Sequence, residues 1–327
     1  MIASLFAGLM LAAGPIPGDA ATQDPAVRQD PVRPDAPIEL EDVVVTGRPL
    51  DTMIRDFVGQ VAEPNRYRGL ARWEDRICVG VANLKSETAE YLSDRISTVA
   101  VDIGLEAGGP GCTPNILVVA TTDGAHLAHT LAGDRPRAFR MGGAGMDRGG
   151  DAFHDFLTAD RPVRWWQLSM PTDSETGDRA VRLPGDCVDL CVEADDFAPR
   201  IRLFAASRLN TQIIDNLFRT IVIIDVDDVA GLSALQLADY IAMVSLAQID
   251  PDADTSGYAS ILNVFDNPDG SASLTDWDQA YLGGLYAAER KAANWRAGRS
   301  EIATSIRREH GRLRADETVA EEDGADR

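Results

Sequence analysis

The chain has 327 residues, 45% of them hydrophobic and 25% charged, enough to bury a large core as one sizeable domain or two smaller ones. With 52 acidic residues against 31 Lys and Arg, the formal charge is −21 and the isoelectric point about 4.5. A surface of that sign repels phosphate backbones and anionic lipid, which sets nucleic acid aside as a partner.

The first residues, MIASLFAGLMLAAGPIPGDA, run apolar from Ile2 to Ala13 and then turn to Gly, Pro and small residues. The pattern predicts a cleaved secretory signal over residues 1–20 and a periplasmic or secreted protein of a Gram-negative envelope. No Lys or Arg precedes the run, so a retained anchor is the alternative. The run is shorter than the ~20 apolar residues of a spanning helix, and no integral membrane segment is expected after cleavage. Export allows disulfides. Cys78, Cys112, Cys187 and Cys191 permit three pairings; Cys78–Cys112 would join the entrances of two predicted strands, and Cys187–Cys191 would close the small CVDLC loop. A redox pair is disfavoured because Asp186, Asp189 and Glu193 oppose a thiolate, and a four-thiolate metal site because paired CxxC spacing is absent.

Residues 21–50 are rich in Pro and charge and predict a disordered tether. Within it residues 42–47, DVVVTG, resemble the TonB box of outer-membrane TonB-dependent receptors, a short run that pairs with a periplasmic strand. That resemblance implies a TonB-type contact through 42–47; the plainer alternative is an edge strand. No series of alternating strands follows, so the chain is not itself such a receptor.

A single globular domain is expected over residues 51–299. Residues 52–62 predict an amphipathic helix, 76–81 (RICVGV) a strand, 86–105 a helix with one apolar face, and 115–121 (NILVVAT) a buried strand. Strand, helix and strand in so short a span make a βαβ unit with a parallel pair. The next helix carries His126 and His129, three apart on one face, where both can reach one metal ion; no third ligand is local, and two surface histidines are the plainer reading. Residues 140–151 (RMGGAGMDRGGD) lack phosphate-loop spacing and predict a mobile loop. The strand RPVRWWQLSM at 161–170 places Trp165 and Trp166 on opposite faces, one ring in the core and the other near solvent, where it can line a binding groove; simple packing is the plainer reading. Further strands are expected at 200–206 and at 211–227, the latter broken near Asn216.

The run Ile221, Val222, Ile223, Ile224 predicts a strand buried on both faces, and Ser233 with Gln236 caps the helix that follows. Apolar residues lie all round that helix, so it is central, with Asp239 and Tyr240 as its polar interruptions. Asp225, Asp227 and Asp228 leave the strand end, where α/β active sites commonly lie; a turn cap is the plainer reading. The Asp-rich segment after the helix lacks a complete calcium ligand set. Thr275 and Asp278 cap a further helix, and residues 300–327 read as a charged, partly disordered tail. Together these elements predict an α/β (α+β) fold: a mixed sheet with a βαβ start, a buried central helix and C-terminal helices.

That order, over residues 76–292, resembles a zincin, specifically the matrixin-like metallopeptidase scaffold of poorly characterised exported bacterial domains. LADYIAMVSL lies on the family's HExxHxLGL helix, with Ala238 and Ala242 in the places of the two ligand histidines, Asp239 in that of the general-base Glu and Ser245 in that of the glycine. The segment SILNVFDNPDGSASLTDWDQAYLGGLY is similar to the family's turn and LxxLY helix. The resemblance implies a metallopeptidase-like scaffold without its metal site, since alanine does not bind zinc. The expected function is a non-catalytic exported protein, without cofactor, that binds a peptide or an envelope partner. The alternative is a hydrolase or peptidase with a non-standard site using His126 and His129, or Asp225, Asp227 and Asp239.

Overall fold

The computed structural model describes residues 48–140, 145–183, 185–187, 191–193, 201, 210–292 and 294–325. The signal at 1–20, residues 21–47 of the tether with its 42–47 segment, and all but Ile201 of the strand expected at 200–206 lie outside the described residues; Leu50, placed at the end of the tether, opens the first helix instead.

The fold is mixed α/β. A four-stranded sheet runs in the order β2 (Val79–Ala82), β4 (Ile116–Thr121), β6 (Ile213–Asp225), β5 (Val163–Asp173). The first three strands are parallel and β5 is an antiparallel edge. The βαβ unit is β2, α2 (Ser86–Asp102) and β4. RICVGV is not one strand but two, because the chain breaks at Cys78: β1 (Arg76–Ile77) pairs with β3 (Glu106–Ala107) in a separate parallel ladder. At the break the Cys78 amide donates to Asn115 Oδ1 at 2.7 Å, and Cys78 is bonded to Cys112. A Cβ on Gly108 would stand 2.7 Å from Cys112 Sγ, so the disulfide requires glycine there. Cys187 is bonded to Cys191.

The sheet is covered on both faces, which is what the β-branched run of β6 requires. Val222 and Ile224, with Val163 and Trp165 of β5, face the main core. There they meet α1 (Leu50–Val61), α2, α6 (Ala234–Leu246) and α7 (Asp276–Ala287). Ile221 and Ile223, with Trp166 and Leu168, face a smaller core under α3 (Gly124–Asp134), α4 (Pro136–Phe139) and α5 (Gly150–Thr158).

Double coverage corrects the expectation for the tryptophan pair. The two rings do point to opposite faces, but Trp165 is 6% exposed and Trp166 1%, so neither lines a groove. Their indole N–H groups donate to Ile249 O at 3.3 Å and Phe139 O at 2.6 Å. Strand β6 is continuous past Asn216, whose side chain is held by Glu74 and Thr172, but its pairing with β5 slips by one residue at Phe218, between the Leu168–Arg219 and Ser169–Leu217 pairs, close to where the break was expected. The glycine-rich segment expected to be mobile is pinned over its described part. Met146 is fully buried, Ser169 N donates to Met146 O at 2.8 Å, and the segment ends as the first turn of α5.

The domain boundary at 299 is also corrected. Helix α8 (Trp295–Ala325) packs along α7 and α1, burying Ile302, Ala303 and Ile306, so residues 302–306 belong to the core rather than to a tail. The charge of that stretch hid an apolar stripe at helical spacing. Gly284 of α7 makes the crossing possible, because a Cβ there would lie 2.4 Å from the Ile306 backbone. Among the described residues no helix is long and apolar enough to cross a membrane.

Candidate functional site

The central helix is fixed from its start. Ser233 and Gln236 form a reciprocal capping box, and Gln236 Nε2 also donates to Pro268 O and Ser271 O, tying the following turns to the helix. Ala238, Asp239 and Ala242 then fall inside the main core, each with 0% exposure. A bare carboxylate in that position would be strongly unfavourable, so it must be paired. Arg95 of α2 supplies the pair as a fork, Nε 2.6 Å from Oδ1 and Nη2 3.1 Å from Oδ2, and Leu274 N donates to Oδ2 at 2.7 Å. A cleft of about 640 Å³ opens between α2, α7 and α8, but it is lined by Arg95, Leu274, Gln279, Tyr286, Glu309 and Arg312 rather than by Asp239. Asp239 thus holds α2, α6 and the Leu274 turn together, and Arg95 stands between it and solvent.

The other predicted candidates lie elsewhere. Chain leaves β4 toward α3 on one face of the sheet and leaves β2 and β6 toward α2 and α6 on the other, which places a topological switch at these strand ends. Asp225 sits there, but its oxygens accept from Gly124 N at 3.2 Å and from Asp227 N at 3.3 Å, the work of a turn cap. Asp227 and Asp228 are exposed. Asp123 caps α3 through His126 N at 2.8 Å. Buried Arg164, to which sequence reading assigned no role, lies under Gly124 and donates to Phe156 O; burial lowers its pKa. His126 and His129 are exposed on α3, across the sheet from α6, and no group of three or more candidate metal ligands occurs among the described residues. The histidines, Asp225 and Asp239 therefore do not converge.

What the structure does bring together was not expected. The loop after α1 is anchored by fully buried Asn65, whose amide donates to Ser169 Oγ at 2.8 Å and Gly145 O at 3.1 Å and whose Oδ1 accepts from Gln248 at 3.3 Å. Above that anchor the chain turns sharply. Tyr67 adopts φ +64°, a left-handed conformation costly for a bulky residue, and is 91% exposed. Arg66 Cζ lies 5.1 Å from the Tyr67 ring, and Arg68 is drawn to buried Asp215, 3.6 Å away. Burial raises the pKa of Asp215.

Opposite this turn stand Arg140, 3.3 Å from Asp147, and Arg148, paired with Glu63 and 3.9 Å from Asp250. The two sides enclose a cleft of about 560 Å³ lined by Arg66, Arg68, Arg140 and Arg148 against Asp147 and Asp151. Residues 66–68 also wall a second cleft of about 600 Å³, whose lining includes Leu70, Ile213, Trp295 and Ile302 together with Arg290 and Glu289. No local signal announces the arrangement, because its arginines come from segments some 70 residues apart; Pro64, Asn65 and Gly69 mark a loop, but the positive φ falls on Tyr67 itself.

The molecule is, then, a mixed α/β domain with a sealed central helix and a pair of arginine-walled surface clefts. Comparison with protein-family models, curated proteins and solved structures found no match.

Proposed function

We propose that this is an exported, non-catalytic protein on a degenerate zincin-like scaffold that binds a peptide or an envelope partner. The observation that carries the reading is the state of the central helix. The one carboxylate in the active-site register, Asp239, is wholly consumed by Arg95 and the Leu274 amide, between two buried alanines, and offers nothing to a water or a scissile bond. The order of elements supports the scaffold reading: a βαβ start, further strands, a capped and buried helix, a turn and a C-terminal helix. Two disulfides support residence in an oxidising compartment such as the periplasm. The open clefts around Tyr67 supply a surface of the size that takes a ligand.

Metal analysis of the purified protein is expected to give zinc near zero. Selection from a random peptide display library on the immobilised protein is expected to enrich a common sequence. Stoichiometric zinc together with peptide hydrolysis would overturn the reading, as would a selection that enriches nothing. A TonB-type contact through 42–47 is a second part of the proposal; deleting residues 41–48 is expected to abolish a pull-down with a TonB C-terminal domain, and retained binding removes that segment from it.

A further inference from the structure

We propose that the cleft between α1 and the start of α8 binds a small phosphate monoester as its dianion, held by Arg55, Arg296 and Arg299. The site is separate from the central helix and from the clefts around Tyr67, and it does not depend on the peptide reading.

Charge is the first argument. Helices α1 and α8 run antiparallel along each other, so that Arg307 meets Asp51 at one end of the contact and Arg299 lies over Gly59 at the other. The two facing stretches, residues 48–61 and 295–308, carry six arginines and three acids. All three acids are taken: Asp56 by Arg48, Asp51 by Arg307 at 3.2 Å and Glu301 by Arg308 at 3.4 Å. The arginines left over are Arg55, Arg296 and Arg299, and none of them makes an ion pair or a hydrogen bond among the described residues. With Val58 and Ser300 these three line a cleft of about 200 Å³ whose lining contains no acid. The next acid along the chain, Glu289, lines the cleft on the Trp295, Gly298 and Ile302 face of α8 instead.

Placement is the second argument. Arg296 and Arg299 sit in the first two turns of α8, the end at which the helix dipole disfavours a cation. They are also three apart on one face, where like charges repel. Gly59 stands in the interior of α1, where glycine is a weak choice, yet a Cβ there would lie 2.5 Å from Arg299 Nη2. Glycine thus leaves the guanidinium its seat over α1, and the Trp295 ring backs it from 5.8 Å. Cations gathered against the preferences of both helices are what a bound anion would offset.

Size and valence define the ligand. The cleft is smaller than the ~300 Å³ at which pockets for drug-sized molecules begin. A phosphate monoester presents three acceptor oxygens and a charge of about −2 at neutral pH, one oxygen for each guanidinium fork, whereas a carboxylate brings two oxygens and a single charge. Ser300 adds a hydroxyl to the same lining. The charge of −21 on the whole chain opposes a polyanion or an anionic membrane, which selects a small soluble ligand.

Isothermal titration calorimetry with glycerol phosphate, in low-salt buffer at neutral pH, tests this. The monoester is expected to bind one to one, and acetate at the same concentration not to bind. Arg55→Gln and Arg296→Gln should each weaken the monoester at least fivefold, and the double variant should lose it. Their thermal midpoints in phosphate-free buffer should be unchanged or raised, because repulsion between like charges falls. Gly59→Ala should also weaken binding while raising the midpoint, since alanine favours the helix but takes the space of Arg299. Co-sedimentation with phosphatidylcholine vesicles containing phosphatidate examines a lipid source of the same group, and the protein is expected to stay in the supernatant. Absence of monoester binding, equal binding of acetate, or undiminished affinity in the double variant overturns the site. Co-sedimentation without binding of the free monoester assigns the arginines to a lipid surface and overturns the small-ligand proposal.

Discussion

Arg95 grips Asp239 through the Nε–Nη2 edge of its guanidinium, on a carboxylate with no solvent exposure, and the Leu274 amide completes the set. Removing the cation strands a buried charge, whereas neutralising the acid leaves a partly exposed arginine that water can solvate. Arg95→Ala is therefore expected to destabilise by about 3–5 kcal/mol. Asp239→Asn should cost less, about 1–3 kcal/mol, as one acceptor oxygen is lost. Urea unfolding of the two variants measures the order; an Asp239→Asn protein of unchanged stability would mean that the carboxylate is not structural.

The crossing of α7 and α8 turns on one hydrogen atom. Gly284→Ala drives a methyl into the Ile306 backbone and is expected to cost about 1–3 kcal/mol. Gly283→Ala meets only the flexible Glu309 side chain at 3.4 Å and is expected to be neutral or stabilising by up to about 1 kcal/mol, the helix propensity difference. Truncation at 299 removes Ile302, Ala303 and Ile306 from the core and should lower the thermal midpoint far more than truncation at 316.

The two disulfides constrain very different lengths of unfolded chain. Cys78 and Cys112 are 34 residues apart, Cys187 and Cys191 only 4. Chain entropy alone assigns about 4 kcal/mol to the first and about 2 kcal/mol to the second. Replacing Cys78 and Cys112 by Ser should thus lower the denaturant midpoint by clearly more than the same change at Cys187 and Cys191.

Burial raises the carboxyl pKa of Asp215 and of Asp278 above the ordinary 3.8. A carboxyl whose folded pKa exceeds its unfolded one holds its proton more tightly when folded. Its contribution is full below the unfolded value and is lost as pH rises through the folded value. Asp215→Asn abolishes that titration, so the stability difference between wild type and variant should shift against the wild type as pH rises from 3.8 through the raised pKa, and level off above it. Urea midpoints across the acid range check the slope; a difference that moved the other way would mean that Arg68 and the Gly69 amide outweigh burial.

Much of the frame was legible in the sequence because it depends on near neighbours. An unbroken β-branched run at residues 221–224 needs both sheet faces covered, Ser233 with Gln236 and Thr275 with Asp278 start helices by satisfying their own first-turn amides, and one apolar face over residues 86–102 makes the crossover helix between parallel strands. What the tertiary structure alone decided lies between segments distant in the chain. Arg95 reaches Asp239 across 144 residues, and Arg66 and Arg68 meet Arg140 and Arg148 only because Asn65 is threaded into the core beside Gly145 and Ser169. Both tryptophans vanish because helices cover the second face as well, and a charged C-terminal stretch joins the core along a stripe that glycine lets close. Local spacing specifies hydrogen bonds within a turn and the face a side chain takes. It carries no record of which distant face or charge will be packed against it, and the partner of Asp239 and the walls of the clefts are of that second kind.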